Sequence, residues 1–358
     1  MTAEIGTSKL CQNSIMKETT MIAHGVRQNV DLQPFNTFAV KSTAKYFVEV
    51  HDLHTLRELN KDPLFADRPQ FVLGGGSNVL FTKDFDGLVL QMRMRGVELV
   101  DENDFSRWIK VGAGESWADL VELTLANGWS GLENLALIPG TVGGAAVQNI
   151  GAYGIEAAER IVEVECYIPA DDRICVLSAQ DCDFGYRTSI FKSKMADAIV
   201  LSVTFALPKQ PEYRYGYKEL AAFFDGRTPE SAREIADAVI SIRRRKLPDP
   251  AVLASAGSFF KNPVVTRTKM IQLLQDWPQL VVYPLAGGRA KVAAAWLIDG
   301  AGLKGYRCGD AGVYDKQALV LVNHGQATGR EIWDLALKIQ HSVKNRYGVM
   351  LEPEPVIV

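Results

Sequence analysis

Two glycine-rich segments carry the first chemical signal in this chain. One is Leu73-Gly74-Gly75-Gly76-Ser77-Asn78-Val79-Leu80; the other is Ile138-Pro139-Gly140-Thr141-Val142-Gly143-Gly144-Ala145-Ala146. Glycine permits positive φ and close approach of the backbone to a ligand, so consecutive amides can form a nest for an anion. The second segment runs on into Gln148-Asn149-Ile150-Gly151-Ala152-Tyr153-Gly154. Either segment alone reads equally well as a tight turn. Together, each beside Ser, Thr or Asn donors, they favour a large ligand that carries a pyrophosphate. The familiar alternatives do not fit. Gly76 is followed by Ser77-Asn78 rather than Lys, which excludes a P-loop, and Gly112-Ala113-Gly114-Glu115-Ser116-Trp117 lacks the third glycine of a Rossmann turn. No G-x-S-x-G nucleophile elbow is present.

A basic run, Arg243-Arg244-Arg245-Lys246, is followed by Gly257-Ser258-Phe259-Phe260-Lys261-Asn262-Pro263. Cations at a helix end complement its dipole or form a solvated face. A serine between glycine and two phenylalanines is often a turn residue. In an apolar pocket it could instead deliver a proton to a carbanion, given neighbours that stabilise the alkoxide. Phe184-Gly185-Tyr186-Arg187-Thr188-Ser189 sets an arginine in a turn, and Leu351-Glu352-Pro353-Glu354-Pro355 offers two carboxylates held by prolines. Each alone reads as surface detail. His51 and His54 lack the partners of a zinc set, so no metal is expected.

The elements that must position these residues read as a mixture. Strands are expected at 44–50, 71–73, 88–92, 108–112, 161–168, 174–176, 198–205 and 318–323, from β-rich alternation and flanking turn residues. Helices are expected at 54–60, 117–127, 229–245, 293–299 and 330–347, where apolar spacing is helical. Leu247-Pro248-Asp249-Pro250 closes one of them, because the residue before proline is pushed out of the helical region. The order of strands and helices predicts an α+β fold.

At 358 residues the chain is long enough for more than one domain. A net charge of −3 gives no global call for nucleic acid or an acidic membrane, so any anion affinity must be local. The five cysteines have no framework spacing and read as reduced thiols of a cytoplasmic protein. Residues 1–20 read as a disordered tail without the apolar core of a signal peptide. The longest apolar stretch, 135–151, is broken by Pro139, Gln148 and Asn149, so no membrane span is expected.

Taken in order, these motifs resemble the UDP-N-acetylenolpyruvoylglucosamine reductase (MurB) family. The resemblance runs from Asn36-Thr37-Phe38 through the Gly74 loop, Ile138-Pro139-Gly140, Gln148–Gly154, Phe184–Arg187 and Gly257–Pro263 to Leu351–Glu354. It implies a two-subdomain FAD-binding unit of the vanillyl-alcohol-oxidase (PCMH) type at 21–208, divided near 95. A C-terminal α+β substrate-binding domain would follow at 209–358, its last residues returning to the active site.

The resemblance also implies the reaction. NADPH would reduce non-covalent FAD, and a hydride from flavin N5 would reach C3 of UDP-N-acetylglucosamine enolpyruvate. A proton at C2 would complete UDP-N-acetylmuramate, a step of peptidoglycan synthesis. Arg187 would stabilise the charge that builds on C2 and the carboxylate, with Glu354 polarising the carboxylate and Ser258 giving the proton. Thr37, Gly74, Gly75, Gly76, Ser77, Asn78, Pro139, Gly140, Gly143, Gly144, Gly151, Ala152, Tyr153, Gly154 and Arg243 would bind the flavin. Lys246 and Asn262 would lie near the diphosphate. Tyr213–Leu220 resembles the loop of the tyrosine-bearing type, with Tyr217 closing over the substrate and Tyr215 as the competing register. A cytoplasmic monomer is expected. The rival readings are a flavin oxidase, which has no need of Gly257–Pro263, and a nucleotide-sugar binder, which has no need of a proton donor.

Overall fold

The computed structural model describes residues 23–358; the expected N-terminal tail and Cys11 lie outside the described residues. The first sheet is built from β1 (Arg27–Asp31), β2 (Thr43–Val50), β3 (Gln70–Leu73) and β5 (Phe85–Met92), with helix α1 (Leu53–Lys61) and the short β4 (Val79–Leu80) between them. Its order is β1-β2-β5-β3, with β5 parallel to both β2 and β3. Parallel strands are normally covered on both faces, and β2 and β5 are, whereas β3 leaves Gln70 and Val72 exposed. Phe47, Leu73 and Val89 point into one core, while Tyr46, Val48, Val50, Leu88 and Leu90 point into another that includes Tyr167, Ile199 and Leu201.

The second sheet contains β6 (Val97–Glu102), β7 (Ser106–Gly112), β10 (Ile161–Ile168), β11 (Arg173–Ser178) and β12 (Ile199–Pro208). It is antiparallel throughout, in the order β11-β10-β12-β7-β6. Helices α2 (Trp117–Ala126) and α3 (Val142–Gln148) and the small hairpin of β8 (Gly151–Ala152) with β9 (Ile155–Glu156) lie between these strands. Helices α4 (Lys218–Phe224) and α5 (Ala232–Lys246) come after residue 208 in sequence, yet Leu220, Phe224, Ile235, Val239 and Ile242 pack into the core of this second unit.

The remaining chain forms β13 (Ala254–Ser258), β14 (Val264–Val265), α6 (Arg267–Asp276), β15 (Val282–Pro284), β16 (Ala290–Val292), α7 (Ala294–Gly300), β17 (Arg307–Cys308), β18 (Ala311–Val313), β19 (Val320–Asn323), α8 (Gly329–Tyr347) and β20 (Val356–Ile357). Its main sheet runs β13-β19-β18-β17, and its buried residues share one core with the first sheet. The long α8 is set by a capping box between Thr328 and Glu331 and ends where Gly348 turns to φ 62°. Beyond it β20 runs back to pair in parallel with β4. This returns the last residues to the Gly74 loop.

The fold is α+β, as the sequence predicts. Several expected elements fall where they were placed, β10 at 161–168 among them. Strands β1 and β6 and helices α4 and α6 lie outside the expected elements, and one glycine-rich segment differs in kind. The glycine-rich stretch after Ile138 is loop only as far as Thr141 and then becomes helix α3. Thr141 caps α3 by accepting from the Gly144 amide at 3.4 Å, and Asn149 ends it in the left-handed region at φ 45°. Among the described residues, no helix is long and apolar enough to cross a membrane, and no group of three or more His, Cys, Asp or Glu could hold a metal ion.

Candidate active site

The two glycine segments meet face to face. A Cβ on Gly75 would lie 2.9 Å from the Gly140 Cα, and one on Gly74 would lie 2.6 Å from the Thr141 hydroxyl. Gly76 is the most constrained, with φ 63° and only 1.9 Å between a Cβ and the Phe35 carbonyl oxygen. Only glycine fits there. The Thr37 amide donates to the Gly76 carbonyl at 3.1 Å and fixes the far side of the loop. These contacts make one wall of a cavity of about 890 Å³, near the upper end of the usual range for ligand sites.

Arg187 stands in a tight turn closed by reciprocal backbone hydrogen bonds between Gly185 and Thr188. Its φ is 55°, an uncommon conformation for a bulky residue and one often found at functional positions. The turn is bound to the end of α3, because Asn149 Nδ2 donates to the Gly185 carbonyl at 2.9 Å and the Ser189 hydroxyl donates to the Val147 carbonyl at 2.7 Å. The guanidinium donates to the Gly151 carbonyl at 2.6 Å, and its Nε lies 3.1 Å from Oε1 of Glu354.

Glu354 arrives from the far end of the chain, on the segment leading into β20. Its amide donates to the Phe259 carbonyl at 2.8 Å, and its own carbonyl accepts from Asn78 Nδ2 at 3.3 Å. One residue is thereby tied both to the Ser258 strand and to the glycine loop. Ser258 ends β13 after an irregularity in the register with β19 between Ser255 and Ser258, where Gly257 adopts φ 67°. Ser258, Arg187 and Glu354 all line the cavity.

Arg243, on α5, lines the same cavity. Its Nε is closed off from solvent and has no hydrogen-bond partner. Burial, and to a lesser degree the neighbouring Arg187, push its pKa below the ordinary arginine value. A buried donor left unmatched on a cation is costly unless a ligand completes it. The chemistry of this wall is that of an anion receptor.

Of the residues expected at the site, Gly74, Gly75, Gly76, Ser77, Asn78, Pro139, Gly140, Gly143, Gly144 and Gly151 line the cavity beside Arg187, Arg243, Ser258 and Glu354. Thr37, Ala152, Tyr153, Gly154, Tyr217, Lys246 and Asn262 stand outside this lining. Tyr153 packs edge-on against Tyr217 with ring centroids 5.6 Å apart. Burial, with Tyr283 nearby, raises the Tyr217 phenol to about 12. Tyr215 instead packs on Phe224, 5.8 Å between centroids. Lys246 is ion-paired with Glu219. Asn262 supports the turn before α7, its Oδ1 accepting from the Ala294 amide at 2.9 Å, and its own amide donates to the Tyr186 hydroxyl at 3.3 Å. Gln148 and Lys192, to which the motifs assign no role, also line the cavity. Lys192 ends the short 3-10 helix Ile190–Lys192 that follows the Arg187 turn.

A family model for the C-terminal domain of UDP-N-acetylenolpyruvoylglucosamine reductase matches residues 249–358, and one for an FAD binding domain matches residues 44–178. A protein of Chromobacterium violaceum named UDP-N-acetylenolpyruvoylglucosamine reductase is 48% identical over 336 residues, covering 93% of this chain and 98% of that protein. The chain belongs to the UDP-N-acetylenolpyruvoylglucosamine reductase family. A reductase of the same name from Burkholderia ambifaria is 47% identical over 335 residues, covering 91% of this chain and 95% of the other. The crystal structure of the family member from Thermus caldophilus superposes with a TM-score of 0.65 at 26% identity, covering 92% of this chain and 98% of that one. As a member of this reductase family the chain is an oxidoreductase with an FAD-binding domain. The residues present fit the flavin nucleotide, because the orphaned Nε of Arg243 and the paired glycine loops supply a donor-lined cavity for an anionic ligand.

Proposed function

We propose that this chain uses NADPH to reduce UDP-N-acetylglucosamine enolpyruvate to UDP-N-acetylmuramate, a cytoplasmic step of peptidoglycan synthesis, and that it works as a monomer. FAD, held by the glycine loops and Arg243, would supply the redox chemistry that links NADPH to the enolpyruvyl group. The chain's own residues manage charge and the proton. Negative charge builds on C2 and the substrate carboxylate as C3 is reduced. Arg187, held by the Gly151 carbonyl and Glu354, presents a fixed cation to that charge, and preorganised charge of this kind is the most effective stabiliser. The Ser258 hydroxyl gives its proton to C2, and solvent restores it.

Gly74–Asn78, Pro139, Gly140, Gly143, Gly144, Gly151 and Arg243 would hold the flavin without a covalent bond. Thr37, Ala152, Tyr153 and Gly154, outside the lining, would act on it by shaping the loops. Tyr217, Lys246 and Asn262 would address the UDP-sugar. The observation that carries this reading is the meeting of Arg187, Ser258 and Glu354, distant in sequence, in one cavity beside both glycine loops. The test is turnover of the enolpyruvyl sugar nucleotide with NADPH and FAD. A product heavier by one H2, formed mole for mole with NADPH oxidised, is expected; NADPH oxidation without that product would refute the proposal.

A further inference from the structure

Lys192 lines the cavity beside Arg187, and its ammonium makes a specific pair of contacts. It donates to Oε1 of Gln148 at 2.7 Å and to the Arg187 backbone carbonyl at 3.4 Å. Gln148 is 8% exposed, and its Nε2 donates to Oε1 of Glu354 at 3.1 Å. The same carboxylate oxygen lies 3.1 Å from Arg187 Nε.

An amide side chain has a donor end and an acceptor end, whereas an ammonium has only donors. Lys192 can therefore engage only the carbonyl end of Gln148, and this leaves the NH2 end for Glu354. With the ammonium gone, the Glu354 carboxylate, which only accepts, would be left to orient the amide from one side alone. Lys192 thus anchors the amide oxygen and holds the side chain in line with Glu354. Its contact with the Arg187 carbonyl, at 3.4 Å, is the longer and weaker of the two.

We infer that Lys192 is a positioning residue for the reduction, acting through Gln148 to fix the Glu354 carboxylate beside Arg187 and leave Oε2 for the substrate. The location is costly. Burial lowers the Lys192 pKa, and Lys261 and Arg187 push in the same direction against Glu354 and Glu352. The partly buried ammonium is held there by its contacts with Gln148 and the Arg187 carbonyl.

This role rests on the proposed function, and the two half-reactions test both separately. In Lys192→Met, reduction of the flavin by NADPH should be unchanged, while the limiting rate of reoxidation by the enolpyruvyl substrate falls about tenfold or more, the size expected of coupled neighbours. Its apparent Kd for that substrate should move little, since Lys192 acts through Gln148. Lys192→Arg, which keeps the donors, should recover most of the rate. In a Glu354→Gln background, Lys192→Met should cost nothing further.

Losses that multiply in the double variant would overturn the role, as would a raised Kd with an intact limiting rate. Equal slowing of both half-reactions would reduce Lys192 to a residue of the fold. Wild-type protein is the internal control. Failure of the substrate to reoxidise wild type overturns the proposed function and the Lys192 role with it; reoxidation in wild type with Lys192→Met unaffected overturns the Lys192 role alone.

Discussion

Replacing Arg243 with methionine should make the flavin-free protein more stable and the flavin complex weaker. The reason lies in the unmatched Nε, closed off from solvent on a cation whose pKa is lowered by burial. A buried donor without a partner costs roughly 1–3 kcal/mol. Methionine keeps much of the apolar volume and removes that cost. Deflavinated Arg243→Met should therefore melt a few degrees above deflavinated wild type, on the order of 1–3 kcal/mol.

The ligand complex moves in the opposite direction. A hydrogen bond to a charged group contributes about 1.5–3 kcal/mol, equivalent to roughly a tenfold to hundredfold weaker Kd for FAD. Thermal melting of the flavin-free protein and fluorescence titration with FAD read the two effects separately. An unchanged FAD affinity together with a destabilised apoprotein would show that Arg243 is a packing residue, and the argument from its orphaned nitrogen would be wrong.

Ser258→Ala should leave reduction by NADPH nearly intact and slow reoxidation by the enolpyruvyl substrate by about 10²–10⁴-fold, the range for a lost general acid; stopped-flow absorbance reads both, and equal slowing would remove Ser258 from proton transfer. Tyr217→Phe should raise the substrate KM more than it alters FAD affinity, whereas Tyr215→Phe, whose ring packs on Phe224, should change neither. Because the Tyr217 phenol is raised to about 12, it stays a neutral donor through the working range, and the KM ratio of Tyr217→Phe to wild type should be flat with pH between about 6 and 9. Gly76→Ala places a methyl group 1.9 Å from the Phe35 oxygen at a φ of 63°. Backbone strain of this kind costs about 1–3 kcal/mol, and the purified variant should carry far less flavin, measured by its absorbance against protein content.

Much of this architecture is legible in local pattern. The apolar spacing of α5 and α8, their serine and threonine caps and the alternation along β2 all act over short range, and their elements lie close to where the sequence puts them. Helix α3 was not legible, because Gly143 and Gly144 are poor helix formers. Gly143 is there because a Cβ would lie 2.9 Å from that of Ala113, so the helix can pack close to the strand end.

The proposed catalytic constellation was legible only through the resemblance carried by its motifs. Nothing local in Leu351–Pro355 announces that β20 will pair with β4, some 276 residues away in the Asn78–Glu354 contact. Gln148 and Lys192 were silent for the same reason. Their meaning is a direction of hydrogen bonding, which appears only once Glu354 is in place.

Anaerobic stopped-flow on the flavin-loaded protein tests the central claim most directly. The protein is reduced with NADPH, then mixed with UDP-N-acetylglucosamine enolpyruvate while the flavin absorbance is followed. Rapid return of the oxidised spectrum with formation of UDP-N-acetylmuramate is the predicted result. Reduced flavin that ignores this substrate but reoxidises rapidly on exposure to oxygen would contradict it and favour an oxidase.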